Sequence, residues 1–192
     1  MGIEPGLLRH ASPRLAVQYD SQWAPVERLA AYLELLPAGM LRFLSDHPRG
    51  YLVVSAQSGY VAGEVTIGER VRTNVVRVSL LDLESPLTCI SIIVQLLDHL
   101  LGCEGKPAGK WLSDGGGITP ELASVGEEIN QLFSLGYGID EEATQNPHSY
   151  LARSLAWYIE DRRTLNVADP RVERLLKRTL MSELFWDKVD IT

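Results

Sequence analysis

The stretch VQLLDHLLG, residues Val94 to Gly102, lies in the most apolar part of this 192-residue chain. The surrounding segment 89–101 leaves almost no polar side, and a helix that is apolar nearly all round is a buried one. The stretch nevertheless contains three polar side chains, Gln95, Asp98 and His99. It therefore predicts a core helix, and its three polar groups need either a polar edge of the helix or a functional site to explain them.

Length and composition predict one domain over residues 1–192. An N-terminal lobe of helices and sheet extends to about residue 84, and a helical lobe follows from about residue 85. Hydrophobic residues make up 45% of the chain, enough for a substantial core.

The net charge of -7 leaves no basic face for nucleic acid. No uninterrupted apolar span indicates a membrane partner, so the expected location is the cytoplasm.

Four helix starts carry the same signature, a capping side chain followed by proline. They are Ser85-Pro86, Thr119-Pro120, Asn146-Pro147 and Asp169-Pro170. Apolar residues at helical spacing predict a further helix over residues 23–36, and a shorter one after Pro37.

Two apolar, β-branched segments, 51–56 and 75–81, predict strands. Between them, SGYVAGEV at residues 58–65 indicates a hairpin-like pair of strands. The Gly-rich segment 113–117 is interpreted as a flexible connector, because it lacks the lysine of a phosphate-binding loop. The predicted fold class is α+β, with a small mixed sheet packed on the buried helix and a helical C-terminal half.

The two cysteines, Cys89 and Cys103, flank the same predicted helix. A rise of about 1.5 Å per residue separates them by roughly 20 Å, which is too far for a disulfide. We therefore expect both to be reduced and to serve as small hydrophobic residues. Neither has a histidine at a recognisable catalytic spacing, and no Gly-x-Ser-x-Gly elbow is present.

The core helix resembles the active-site helix of zincin metallopeptidases. In those enzymes H-E-x-x-H places two histidines on one helix face around Zn²⁺, with the glutamate acting on the bound water. Here the second histidine matches at His99 and the trailing x-x-G matches at Gly102, but the first two functional positions hold Gln95 and Leu96. The resemblance also implies that the strand 75–81 forms the sheet edge along which substrate lies.

A second match lies downstream, in INQLFSLGYG at 129–138 and NPHSYLARSLAWY at 146–158. Together with the core helix, these segments resemble the catalytic domain of anthrax-lethal-factor-type zincins over residues 75–180. That resemblance places Tyr137 on the active-site tyrosine and Ser149 on the third ligand, a glutamate in the family. Arg153 replaces a second acidic residue.

These departures remove the chemistry of the family. Gln95 offers only a neutral amide, Leu96 cannot accept a proton and Ser149 would bind zinc weakly. The sequence thus favours an inactive zincin-like domain with no catalytic residues, no metal and no cofactor. The five vestigial positions are Gln95, Leu96, His99, Tyr137 and Ser149. The remaining role is binding of a peptide or protein, or a scaffold.

An alternative is an active zinc metallohydrolase with an altered ligand set around His99 and His148. Asp98 or Glu104 would complete that site, although Asp98 points about 100° away from His99 on a helix. The simpler interpretation is a structural one, in which His99 bonds a neighbour such as Gln95. Asp98 would then pair with Arg153 or Lys110, and Tyr137 would pack in a helix-ending turn.

Overall fold

The computed structural model describes residues 1–10 and 17–189, and within them the chain folds into eight α-helices and one four-stranded sheet. This confirms the predicted α+β class. The strands are β1 (Gly2–Ile3), β2 (Tyr51–Ser55), β3 (Gly59–Ile67) and β4 (Arg70–Ser79). The helices are α1 (Leu7–His10), α2 (Ala24–Leu33), α3 (Ala38–Asp46), α4 (Pro86–Cys103), α5 (Pro120–Ser134), α6 (Pro147–Ala168), α7 (Pro170–Arg178) and α8 (Glu183–Trp186).

All four predicted proline-marked helix starts are confirmed. In α4, α5, α6 and α7 the residue before the proline accepts a hydrogen bond from a backbone N–H in the first turn, through its side-chain oxygen. These bonds satisfy donors that a helix start otherwise leaves unpaired. The capping residues are Ser85, Thr119, Asn146 and Asp169.

The sheet is mixed, with the strand order β1-β2-β4-β3. Strands β1, β2 and β4 are parallel, and β3 runs antiparallel to β4. Two expectations are therefore wrong: SGYVAGEV forms part of a single strand, and the strand before the core helix, β4, is covered by β3 and is not the edge. No hairpin forms in SGYVAGEV because Gly63, at φ +90°, lies in a bulge between Val61 and Glu64, and the chain continues along β3 instead of turning.

Helix α4 is the buried core element that the sequence predicted. It lies against the sheet on one side and against α6 on the other. By length and composition it could cross a membrane, but 72% of it is buried inside the protein, as in the core helix of a globular domain. Both cysteines are free, and burial raises the pKa of the Cys89 thiol to about 12.

The segment 111–117 is packed between α4 and α5, contrary to the expectation of a flexible connector. A Cβ at Gly102 of α4 would clash with the backbone of Trp111 and Leu112. A Cβ at Gly126 of α5 would clash with the carbonyl oxygens of Leu112 and Gly116. The two helical glycines thus admit a backbone between them, and the x-x-G part of the motif has a packing role.

Candidate functional site

His99 is fully buried on α4, and both of its ring nitrogens are bonded within the protein. Its Nε2 lies 3.0 Å from the backbone oxygen of Lys106, which can only accept, so Nε2 carries the proton. Its Nδ1 accepts from the hydroxyl of Tyr60 at 2.6 Å. Burial lowers the pKa of His99 and raises that of Tyr60, so both groups are neutral at physiological pH.

The sheet brings Tyr60 to His99. Tyr60 pairs with Val76 across the β3–β4 ladder, and residues paired in this way share one face of a sheet. Val76 belongs to the buried core, so the Tyr60 side chain also points towards α4. A strand position therefore supplies the partner of a helical histidine.

The carbonyl of Lys106 is held by a left-handed turn at the end of α4. Glu104 and Gly105 have φ values of 57° and 68°, which end the helix. Asn74, fully buried on β4, donates to the Gly105 oxygen at 3.0 Å and accepts from the N–H of Gly63 at 2.8 Å. The bulge in β3 and the turn that carries the Lys106 carbonyl are therefore tied together by one side chain.

A second network surrounds Asp98, the residue before His99. Its carboxylate accepts from the N–H of Ser113 at 2.7 Å and from the Ser113 hydroxyl at 2.6 Å. His148 of α6 places Nδ1 at 3.2 Å from the same carboxylate. Burial raises the pKa of Asp98 against these donors, and the hydrogen bond to Asp98 raises the pKa of His148. The Nε2 of His148 faces Asp114, at 3.6 Å.

This Ser-His-Asp grouping does not have the geometry of a catalytic triad. In a triad the two ring nitrogens of the histidine divide between serine and carboxylate. Here the hydroxyl of Ser113 and the carboxylate of Asp98 both approach Nδ1 of His148, and the Ser113 hydroxyl donates a hydrogen bond to Asp98. Ser113 is also fully buried. The grouping therefore anchors the segment 111–117 and does not activate a nucleophile.

Trp111 joins the two networks. Its ring stacks on His99 with centroids 4.6 Å apart and packs against His148 at 4.2 Å. Tyr60 meets it edge-on at 5.5 Å. We call these four side chains, Tyr60, His99, Trp111 and His148, the aromatic cluster. Within residues 1–10 and 17–189, no group of three or more His, Cys, Asp or Glu side chains is arranged to hold a metal ion.

The other positions that the zincin resemblance singles out do not belong to this cluster. Leu96 is fully buried, and Gln95 and Ser149 are half-buried. The N–H of Ser149 donates to the capping oxygen of Asn146. Tyr137 follows α5 and is 52% exposed, whereas the tyrosine that bonds His99 is Tyr60, which the resemblance to zincins did not indicate.

The simple interpretations of His99 and Asp98 named the wrong partners. His99 bonds Tyr60 and Lys106, not Gln95. Asp98 bonds Ser113 and His148. Arg153, one expected partner, is held by Asp140 at 2.6 Å.

The sequence carried little signal for the missed residues. Tyr60 lies 39 residues from His99, and its sequence pattern indicates only an aromatic residue in a strand. Trp111 and Ser113 stand beside a glycine run that resembles a loop. The only hint was a polar Asp98 in an apolar helix, since a buried carboxylate requires donors.

Comparison with models of known protein families, with curated protein sequences and with solved structures finds no match for this chain. The interpretation of the site therefore depends on its own geometry. In that geometry, a tyrosine hydroxyl and a backbone carbonyl hydrogen-bond both ring nitrogens of a buried histidine. The neighbouring buried carboxylate is hydrogen-bonded by a serine and a second histidine.

Proposed function

We propose that this protein is a catalytically inactive zincin-like domain of the cytoplasm, which binds an extended peptide segment of a partner protein and needs no metal or cofactor. One observation carries the proposal. Both ring nitrogens of His99, the single histidine retained from H-E-x-x-H, are engaged by Tyr60 and Lys106. A zinc ligand must present a free nitrogen lone pair, and this imidazole has none to offer without breaking a buried hydrogen bond.

The other metal candidate, His148, is also engaged. Its Nδ1 faces the Asp98 carboxylate and its Nε2 faces Asp114. Trp111 packs against both imidazoles. A zinc ion shared by His99 and His148 would have to displace that indole and both sets of hydrogen bonds. This supports the inactive domain over the altered metallohydrolase.

The binding role is supported by the edge strand. In the part of the chain that the structure describes, β3 pairs only with β4, so its other edge offers backbone groups to an added strand. β3 is nine residues long and carries Tyr60 on its inner face. Val61 on the outer face is 40% exposed. An extended peptide added to β3 would run beside the aromatic cluster, where His148 keeps a 34% exposed side chain.

Metal analysis of untagged protein tests the inactive assignment. We expect less than stoichiometric zinc, and no change in zinc content in His99→Ala. Stoichiometric zinc that disappears in His99→Ala would instead establish the metallohydrolase.

A gain-of-function variant tests where the vestigial site lies. Gln95→His and Ser149→Glu restore two family ligands, and Leu96→Glu restores the general base. We expect the triple variant to gain a zinc affinity that a further His99→Ala abolishes. Leu96 is fully buried, so the folded state of the variant is checked by circular dichroism. A folded triple variant that binds no zinc, even when Tyr60→Phe frees Nδ1 of His99, means that the vestigial site has been misplaced.

Selection of a displayed peptide library on the domain tests the binding role. Selected peptides should lose affinity for Val61→Lys, because a lysine on an edge strand opposes strand addition. The matched control is Val167→Lys on α6, where the side chain is 84% exposed. Equal affinity for the two variants would exclude β3 as the binding element.

A further inference from the structure

A cleft of about 590 Å³ lies away from the aromatic cluster, between α3, the segment 47–49 and the turn after α8. None of the four cluster residues lines it. Its volume falls within the range of sites that hold small molecules. The cleft is therefore a candidate binding site separate from the edge strand.

One wall of the cleft is fixed by specific contacts. The carboxylate of Glu183 accepts from the N–H groups of Ala38 at 2.7 Å and Gly39 at 3.3 Å, which anchors the start of α3. A Cβ at Gly39 would clash with Trp186. The indole N–H of Trp186 donates to the Leu180 oxygen at 2.9 Å. A wall held in this way is preformed, which lowers the entropic cost of binding.

The base of the cleft is apolar. It is built from Phe43, Ile118, Trp186 and Val189. His47 adds a ring that packs edge-on against Phe43 with centroids 5.2 Å apart. Burial lowers the pKa of His47, so this ring adds no charge at neutral pH. The base suits an aliphatic or aromatic group.

The rim of the cleft carries two arginines that are available to an anionic ligand. Arg42 and Arg49 both line it, and neither has a carboxylate within ion-pair distance in residues 1–10 and 17–189. Of the two acidic residues on the rim, Glu104 is paired with Lys106 at 2.7 Å. Asp46 is the other acidic residue, and the charge of Glu104 also reaches Arg49. Two arginines and two acidic residues balance in charge among the described lining residues, so the rim accepts one anionic group at the guanidinium groups and disfavours several.

We propose that this cleft binds a small molecule, or the end of a peptide, that combines an apolar body with a single carboxylate. The body lies on the base formed by Phe43 and Trp186. The carboxylate lies between Arg42 and Arg49, whose planar guanidinium groups match its geometry. A fatty acid and the free C-terminus of an apolar peptide share this chemistry.

Titration of the ¹⁵N-labelled 192-residue chain with decanoate tests the proposal. We expect a saturable shift of the Trp186 indole N–H signal and a single site by calorimetry. Arg42→Gln with Arg49→Gln should weaken binding about tenfold. Arg163→Gln is the matched control, because Arg163 is exposed on α6 and does not line the cleft.

Two further probes make the result decisive. Decyltrimethylammonium has the same tail with the opposite charge, and equal binding of both probes would overturn the proposal. An affinity for decanoate that the double arginine substitution leaves unchanged would do the same. N-acetyl-leucyl-leucine, compared with its amide, separates the two sources: preference for the free acid over both its amide and decanoate identifies a peptide C-terminus, and preference for decanoate identifies a fatty acid.

Discussion

Replacement of Tyr60 by phenylalanine isolates the contact on which the site depends. The substitution removes the hydroxyl that donates to Nδ1 of His99 at 2.6 Å. It keeps the ring, which contacts His99 and Trp111 edge-on at 5.9 and 5.5 Å. Any loss of stability is therefore assignable to the hydrogen bond and not to packing.

The expected loss is set by the burial of His99. Because this residue has no exposed surface, water does not replace the missing donor, and Nδ1 stays unpaired. An unpaired buried acceptor costs about 1–3 kcal/mol. We expect the free energy of unfolding to fall by about 2 kcal/mol, which lowers Tm by about 4–8 °C in a domain of this size.

The assay is urea and thermal unfolding at neutral pH, with Tyr137→Phe as the matched control. The ring of Tyr137 is 52% exposed, and an exposed substitution of this kind changes stability by less than about 0.5 kcal/mol. Comparison of Tyr60→Phe with Tyr137→Phe also tests which tyrosine belongs to the site. The zincin resemblance implies Tyr137, whereas the hydrogen bond to His99 indicates Tyr60.

A double-mutant cycle with His99→Leu completes the test. Without the imidazole the Tyr60 hydroxyl has lost its acceptor, so Tyr60→Phe in that background should cost less than about 0.5 kcal/mol. The reasoning is refuted if Tyr60→Phe is as stable as Tyr137→Phe, or if its cost is the same with and without His99.

Two other predictions concern the neighbouring network and the glycine of the core helix. Asp98→Asn should lower the pKa of His148, which NMR titration measures. Asp98 raises that pKa in the wild type. The ion pair therefore contributes its full stabilisation below about pH 6.5, and this contribution is lost as pH rises through the folded-state pKa of His148. The stability difference between wild type and Asp98→Asn should thus be largest near pH 6 and shrink towards alkaline pH; a difference that grows with pH would contradict the ion pair. Gly102→Ala should cost at least about 2 kcal/mol in urea unfolding, because its Cβ meets the backbone of the packed segment 111–117. Gly136→Ala, which meets no atom within 4 Å but has φ +77°, should cost only about 1 kcal/mol, and equal costs would show that the segment yields readily.

Much of the secondary structure could be predicted because its signals are local. A cap and its proline act within one turn, so the starts of α4, α5, α6 and α7 were predicted to the residue. The burial of α4 followed from its composition. The role of SGYVAGEV was missed, because whether a glycine makes a turn or a bulge depends on the strand beside it: Asn74 of β4 binds the N–H of Gly63 and keeps β3 continuous.

The candidate site could be predicted only in part. The sequence marked His99 and Asp98 as polar groups that need partners in a core, which follows from the cost of burying them unpaired. It could not name those partners, because Tyr60 and His148 lie 39 and 50 residues away from them and approach only through the sheet and α6.

By itself the sequence determined that a long apolar helix would be buried with two ionisable side chains inside it, since capping, periodicity and desolvation act within a few residues. Only the tertiary structure decided what those side chains do. It brings a strand tyrosine and a helix-ending carbonyl to His99, and a serine and a second histidine to Asp98. Hydrogen bonds between distant segments depend on how whole elements pack, and the pattern of any one segment does not contain that information.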